Sequence, residues 1–161
     1  MFTLRKDNAE VLYVEGYLER VWPDLPKTLN DAIDLVKAIG ERYLWVDSLC
    51  LINDHEGDIA LGVRLMNSIF QGSYFNIIAA SGTNANAGLW RFGLDTKENM
   101  VLQSPEVGID LKTRLSKSEY SKRAWTLQEL TLSRRALIFV DNRVFFRCQA
   151  ASWDETSSTD A

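Results

Sequence analysis

Residues 28–46 read as an amphipathic helix that runs straight into an uninterrupted apolar strand, and that pairing admits few architectures. Leu29, Ala32, Ile33, Val36 and Ile39 recur at helical spacing, while Asp31, Asp34 and Lys37 fall on other faces. Thr28 stands where an N-cap belongs, and Asp31 three places on gives an acidic variant of the capping box. Gly40 closes the helix. Tyr43-Leu44-Trp45-Val46 follows at once and does not alternate, as a strand covered on both faces requires. Helix, short turn and buried strand make up half of a doubly wound α/β unit.

The same pattern returns downstream. Ile59, Val63, Met66 and Phe70 mark a second helical stripe, widened by Leu65 and Ile69. Gly62 inside it costs about 1 kcal/mol relative to Ala. Tyr74 to Ala80 reads as a second buried strand. From Ser81 to Lys122 the pattern fades into a loop marked by Asn84, Asn86 and Gly88, with strand fragments at Val101 and at Val107 to Leu111. Ser121 is placed to cap a helix running through Leu130. Ala136 to Val140 and Val144 to Phe146 then form a hairpin over Asp141-Asn142. Val11 to Val14 is a short strand at most. The expected organisation is a weakly structured segment 1–24, one α/β domain over 25–150, and a disordered tail 151–161. A chain of 161 residues suits a single core.

Several functions are disfavoured at once. Net charge is −4 with no basic stripe, so the electrostatic footprint of a nucleic-acid binder is missing. Neither Gly-x-Gly-x-x-Gly nor Gly-Lys-Ser/Thr occurs, which removes the two common phosphate cradles. One histidine and two distant cysteines, Cys50 and Cys148, argue against a metal site and a disulfide framework. No signal-like or membrane-length apolar run is present, and the chain reads as cytoplasmic. His55, between Asp54 and Glu56, sits close to Cys50, but a polar cluster there is better read as a helix cap and Cys50 as a core thiol.

Two places join polar groups to good positions. Asp47 and Ser48 lie just past the carboxyl end of a buried strand, where open α/β sheets bind ligands. Asp47 is placed there to meet a substrate hydroxyl; the alternative is that the pair only satisfies a turn. The second place is Arg123-Ala124-Trp125-Thr126-Leu127-Gln128-Glu129-Leu130. On a helix Trp125 and Glu129 share a face, with Ala124, Leu127 and Leu130 forming the neighbouring apolar stripe. A carboxylate at that edge has its charged form disfavoured, and it suits the cation that develops as a glycosidic bond breaks. The plainer alternative is a surface glutamate paired with Arg134 or Arg135.

These motifs, taken in order, resemble one family. Leu25-Pro26-Lys27-Thr28 with Asp31-Ala32-Ile33, then Tyr43 through Cys50, then Met66, Phe70, Ile77 to Ala79 and Gly88-Leu89 follow its signatures. Arg123 through Glu129 with Leu132, Ser133 and Arg135 resembles the last signature, and Cys148 follows its hairpin. The family is the heterokaryon-incompatibility domain of filamentous fungi, linked to cell death when unlike hyphae fuse. Its fold resembles that of Toll/interleukin-receptor domains: an α/β, flavodoxin-like, open and mainly parallel sheet flanked by helices, here with a C-terminal β-hairpin. Some of those domains hydrolyse NAD with a glutamate four residues after a tryptophan, a spacing that Trp125 and Glu129 match.

The resemblance therefore implies Glu129 as catalytic residue and Asp47, Ser48, Trp125 and Arg123 as substrate-binding. It implies NAD or a related nucleotide as substrate, no resident cofactor and no metal. Partners would be further copies of the chain or other incompatibility proteins, without nucleic acid or membrane. The alternative is a self-associating signalling module without chemistry, or an inactive copy. Departures are Asn53 for a usual Gln, Gly62 for a common acidic residue, and no Ser-Tyr/His-x-Trp-Gly motif before Leu25. The last implies that the family's first strand is missing.

Overall fold

In the computed structural model, residues 2–5, 12–13, 25–51, 55–89, 110–123 and 126–154 are described. Pro26 precedes α1 (Lys27–Ala38), whose apolar face of Leu29, Ala32, Ile33, Leu35 and Val36 is buried. The helix ends in a pair of backbone bonds, Gly40 N–H to Lys37 O and Glu41 N–H to Val36 O, each 3.0 Å. These satisfy carbonyls that the last turn leaves open. β3 (Tyr43–Val46) follows, and its end winds directly into a single helical turn, α2 (Asp47–Cys50). α3 (Glu56–Gly72) is capped by His55, whose Nδ1 accepts the Asp58 N–H at 3.1 Å, as the polar cluster predicts. β4 (Ser73–Ala79) completes the second unit.

Gly62 has a packing reason. A Cβ there would stand 2.6 Å from Leu51 Cδ2, so its absence lets α3 lie against that side chain. The intrinsic cost of a helical glycine is offset by close approach.

After β4 come α4 (Leu111–Lys117), a short 3-10 turn (Glu119–Lys122), α5 (Thr126–Leu132), β5 (Arg135–Val140), β6 (Arg143–Cys148) and β7 (Ser152–Asp154). Asp141 (φ 47) and Asn142 (φ 59) both take the left-handed conformation, as the two-residue turn between right-twisted strands demands. β7 falls at the start of segment 151–161, which the sequence reads as a disordered tail. It is held by the Arg143–Asp154 ion pair at 3.2 Å and by Phe146 against Trp153, ring centroids 5.8 Å apart.

With β1 (Phe2–Arg5) and β2 (Leu12–Tyr13), the described strands form one open sheet in the order β2-β3-β1-β4-β5-β6-β7. The class is α/β with flanking helices and a C-terminal hairpin, but the sheet is mixed rather than mainly parallel. Among the described strands only β4 and β5 pair in parallel. β1 lies between β3 and β4 and runs antiparallel to both, with Phe2 opposite Val46 on one side and Ile77 on the other. β3, β4 and β5 therefore share one direction, and the interior position beside β3 is held by a reversed strand.

Three local expectations need correction. Thr28 does not cap α1; it lies inside the helix, and its hydroxyl accepts the Gly88 N–H at 3.0 Å. Ser121 does not cap α5, because its hydroxyl donates to carbonyls of its own turn and Arg123 is extended, which breaks the helix before Thr126. Leu111 opens α4 rather than ending a strand, because the Asp110 carboxylate takes the Thr113 N–H at 2.8 Å and nucleates a helix. The remaining strand fragments, Val101 included, lie outside the described residues.

The core has two layers. On one face α1 packs on Leu44, Val46, Phe75, Ile77 and Phe139, joined by Leu89. On the other, Leu115 and Tyr120 pack on Ile78, Ala136, Ile138, Val140 and Phe145. Each fully buried aliphatic side chain stabilises the fold by about 2 kcal/mol. Successive residues of β4 and β5 thus feed opposite layers, which explains why their sequences show no alternation. No helix among the described residues is long and apolar enough to cross a membrane.

Candidate functional site

The shared direction of β3, β4 and β5 brings their carboxyl ends to one edge of the sheet, where a doubly wound fold leaves a crevice. Asp47 is the first residue beyond β3 and is half-buried. Its Oδ1 accepts the Ser48 backbone N–H at 2.7 Å, and the Ser48 side chain is exposed. The carboxylate is thereby oriented by the turn it sits in, while Ser48 faces outward. Cys50 is half-buried, with its sulfur 3.5 Å from the Val46 amide; it is neither fully buried nor bonded to His55, which is engaged as a cap.

Glu129 sits on α5 and is 4% exposed. The surface-glutamate alternative is thereby removed. Burial raises its carboxyl above the usual glutamate value, and the charge of Asp47 adds to the shift, while Tyr120 and Arg123 oppose it. So Asp47, distant in sequence, and Arg123, on the segment just ahead of α5, are both close enough to Glu129 for their charges to act on it. Arg123 is exposed on the extended link ahead of α5, not on a helix. Trp125 and Ala124 lie outside the described residues.

Tyr120, which the sequence does not single out, belongs to the same group. Its hydroxyl donates to the Thr126 carbonyl at 3.0 Å and so ties the 3-10 turn to the first turn of α5. Burial raises the phenol far above its ordinary value, helped by the charge of Glu129. The same hydroxyl faces the Glu129 carboxyl, and its hydrogen bond to that group lowers the carboxyl's value against the effect of burial. Its position depends on a one-turn helix without hydrophobic periodicity, so no sequence signal marks it.

A second unpredicted residue did leave a signal. Asn76 interrupts the apolar run of β4 and is wholly buried. A polar side chain in the middle of a core strand must find partners. Its hydrogen bonds lead to Ser133 and from there to the Glu129 backbone. Among the described residues no three His, Cys, Asp or Glu side chains gather as a metal ion would need.

The arrangement is a buried carboxyl whose charged form burial disfavours, within electrostatic reach of a more exposed carboxylate, a buried phenol and an exposed guanidinium. Two carboxyl groups in unlike surroundings are the equipment of general acid–base and cation-stabilising chemistry. A family model described as "Heterokaryon incompatibility protein (HET)" matches residues 5–129, well over half of the chain and a span that includes Asp47, Ser48, Asn76, Tyr120, Arg123 and Glu129. No curated protein and no solved structure matches the chain.

Proposed function

The chain belongs to the heterokaryon incompatibility (HET) family and so to the machinery of fungal incompatibility, and from that premise we propose that it cleaves the glycosidic bond of NAD or a related nucleotide. The observation that carries the reading is Glu129: a buried carboxyl whose charged form burial disfavours, within electrostatic reach of Asp47 at the end of β3. A substrate with a cationic ring would favour the ionised form and so couple binding to proton release. As the C1′–N bond breaks, its electron pair passes to the nicotinamide nitrogen and neutralises the ring. Positive charge then develops on the ribosyl carbon, where carboxylate Glu129 stabilises it. Water adds to that carbon and gives up a proton to a carboxylate or to solvent. Asp47 orients the ribose hydroxyls, Arg123 meets phosphate, and Ser48 and Trp125 complete the binding surface. Loss of cellular NAD is the route by which such an activity would end in cell death.

The reading is tested by incubating the purified chain with NAD and following nicotinamide by chromatography. Release that scales with protein concentration supports it. No release at high protein concentration, from a chain shown to be folded, rejects it.

One observation favours a second reading, in which the domain signals by self-association. Ile59, Leu61, Val63 and Leu65 on α3 are each 37% to 46% exposed. Ile59 with Val63 and Leu61 with Leu65 are i, i+4 pairs, so two apolar ridges flank the seam where Ile69 and Phe70 are buried. Under that reading the Leu61→Glu/Leu65→Glu variant weakens self-association by at least about tenfold, read by analytical ultracentrifugation. A wild-type chain that stays monomeric over a wide concentration range removes it.

A further inference from the structure

Asn76 is 0% exposed at the centre of β4, a place where an aliphatic side chain of similar size would serve the core better. What it does there is visible in its contacts. Its Oδ1 accepts the Ser73 hydroxyl at 2.9 Å, and the same hydroxyl lies 2.8 Å from the Phe70 carbonyl at the end of α3. Its Nδ2 donates to the Ser133 hydroxyl, which in turn donates to the backbone carbonyl of Glu129.

The topology explains why the two ends meet. β4 and β5 pair in parallel with Asn76 opposite Ala136, so the residues just before β5 pass over Asn76. Ser133 lies in the two-residue link between α5 and β5. The described part of α5 spans Thr126–Leu132, and Glu129 falls within the last four residues, whose carbonyls lack partners inside the helix. A short helix of this kind is poorly fixed along its own axis unless something outside it holds its end.

We infer that Asn76 and Ser133 form a bracket that fixes the height of Glu129 over the sheet, which makes Asn76 a positioning residue for that carboxyl. The inference rests on the reading of Glu129 as the reactive group, but its structural half stands apart from any activity. Around the carboxyl, Tyr120 and Arg123 act from the preceding turn and link, and Asp47 acts from the end of β3. Slippage of α5 changes all these separations together. Purely local capping of the helix end would leave them as they are.

The test uses the full chain with Ser133→Ala, Ser133→Thr and Asn76→Ala, following the Glu129 carboxyl by carbon NMR as pH is varied. Ser133→Ala is expected to move the Glu129 midpoint by at least about half a pH unit toward the ordinary glutamate value. Ser133→Thr, which keeps the hydroxyl, restores it. Nicotinamide release should fall by about tenfold or more in turnover with KM nearly unchanged, as misplacement of a reacting group produces. A folded Ser133→Ala chain with an unshifted Glu129 midpoint overturns the bracket. If Asn76→Ala does not fold, the Ser133 pair decides. If the wild type releases no nicotinamide, the enzyme reading falls while the titration still judges the bracket.

Discussion

Glu129→Gln abolishes nicotinamide release, by about 100-fold or more, and at the same time makes the chain more stable at neutral pH. The two effects have one cause. The carboxyl of Glu129 is raised above the ordinary glutamate value, first of all by burial. Between that ordinary value and the raised one, the unfolded chain has released its proton while the folded chain still holds it. The folded state binds more protons in this window, so stability falls as pH rises through it and stays lower above it. Gln cannot ionise and escapes the loss. Wild type and variant should therefore melt together near pH 4, and the variant should melt higher at pH 7. A gain of about 1 kcal/mol corresponds to a rise of about 2–4 °C in a chain of this length. Thermal unfolding at the two pH values, with the nicotinamide assay beside it, checks both halves. A variant that is inactive but also less stable at pH 7 would mean that Glu129 is a paired structural charge.

The largest loss of stability is expected at Asp31. Its Oδ2 accepts the buried Leu89 N–H at 2.7 Å and the Lys27 ammonium at 2.7 Å, while Thr28 takes the neighbouring Gly88 N–H. These two side chains of α1 hold the loop that carries Leu89 into the first core layer. Gly88 has φ +80, and a Cβ there would stand 2.5 Å from Lys27 Nζ and 2.7 Å from Asp31 Oδ2, so the loop meets the helix end at a place only glycine fits. Asp31→Ala leaves a buried amide without its acceptor and loosens Leu89, at a cost of about 3 kcal/mol. Lys27→Ala removes only the exposed half of the ion pair and should cost less than about 0.5 kcal/mol. Urea unfolding of both variants decides: equal losses would mean that the ion pair, not the loop anchor, matters.

Thr28 and Asp31 also show where the sequence was informative and where it was not. Their spacing marks the start of a helix correctly, because both reasons for placing them there need that backbone. It misleads about the bonds they make, since the partners at Gly88 and Leu89 are sixty residues away and leave no local trace. Tyr43 to Val46 was legible to its boundaries because both faces are covered and each residue must be apolar. Phe2 to Arg5 was not, being four residues of mixed character whose pairing depends on distant strands. At the site, Asp47 could be placed by the rule about strand ends. The burial of Glu129 could only be weighed against a surface role, because it depends on how α5 settles on the sheet. Arg123 was assigned to a helix that stops short of it, since the sequence shows no break between the 3-10 turn and α5.

The reversed interior strand has a kinetic consequence. β1 precedes both of its partners in the chain, and Val46 and Ile77 arrive only after most of the first two βα units have been synthesised. Until it enters, β3 and β4 have no neighbour in common, and the β2–β3 pair is separate from the larger sheet built on β4. Both contacts close long loops, the slow kind of event in assembling a sheet. A segment synthesised before its partners is thus among the last to reach its place, and joining the two halves of the sheet is a late step in folding.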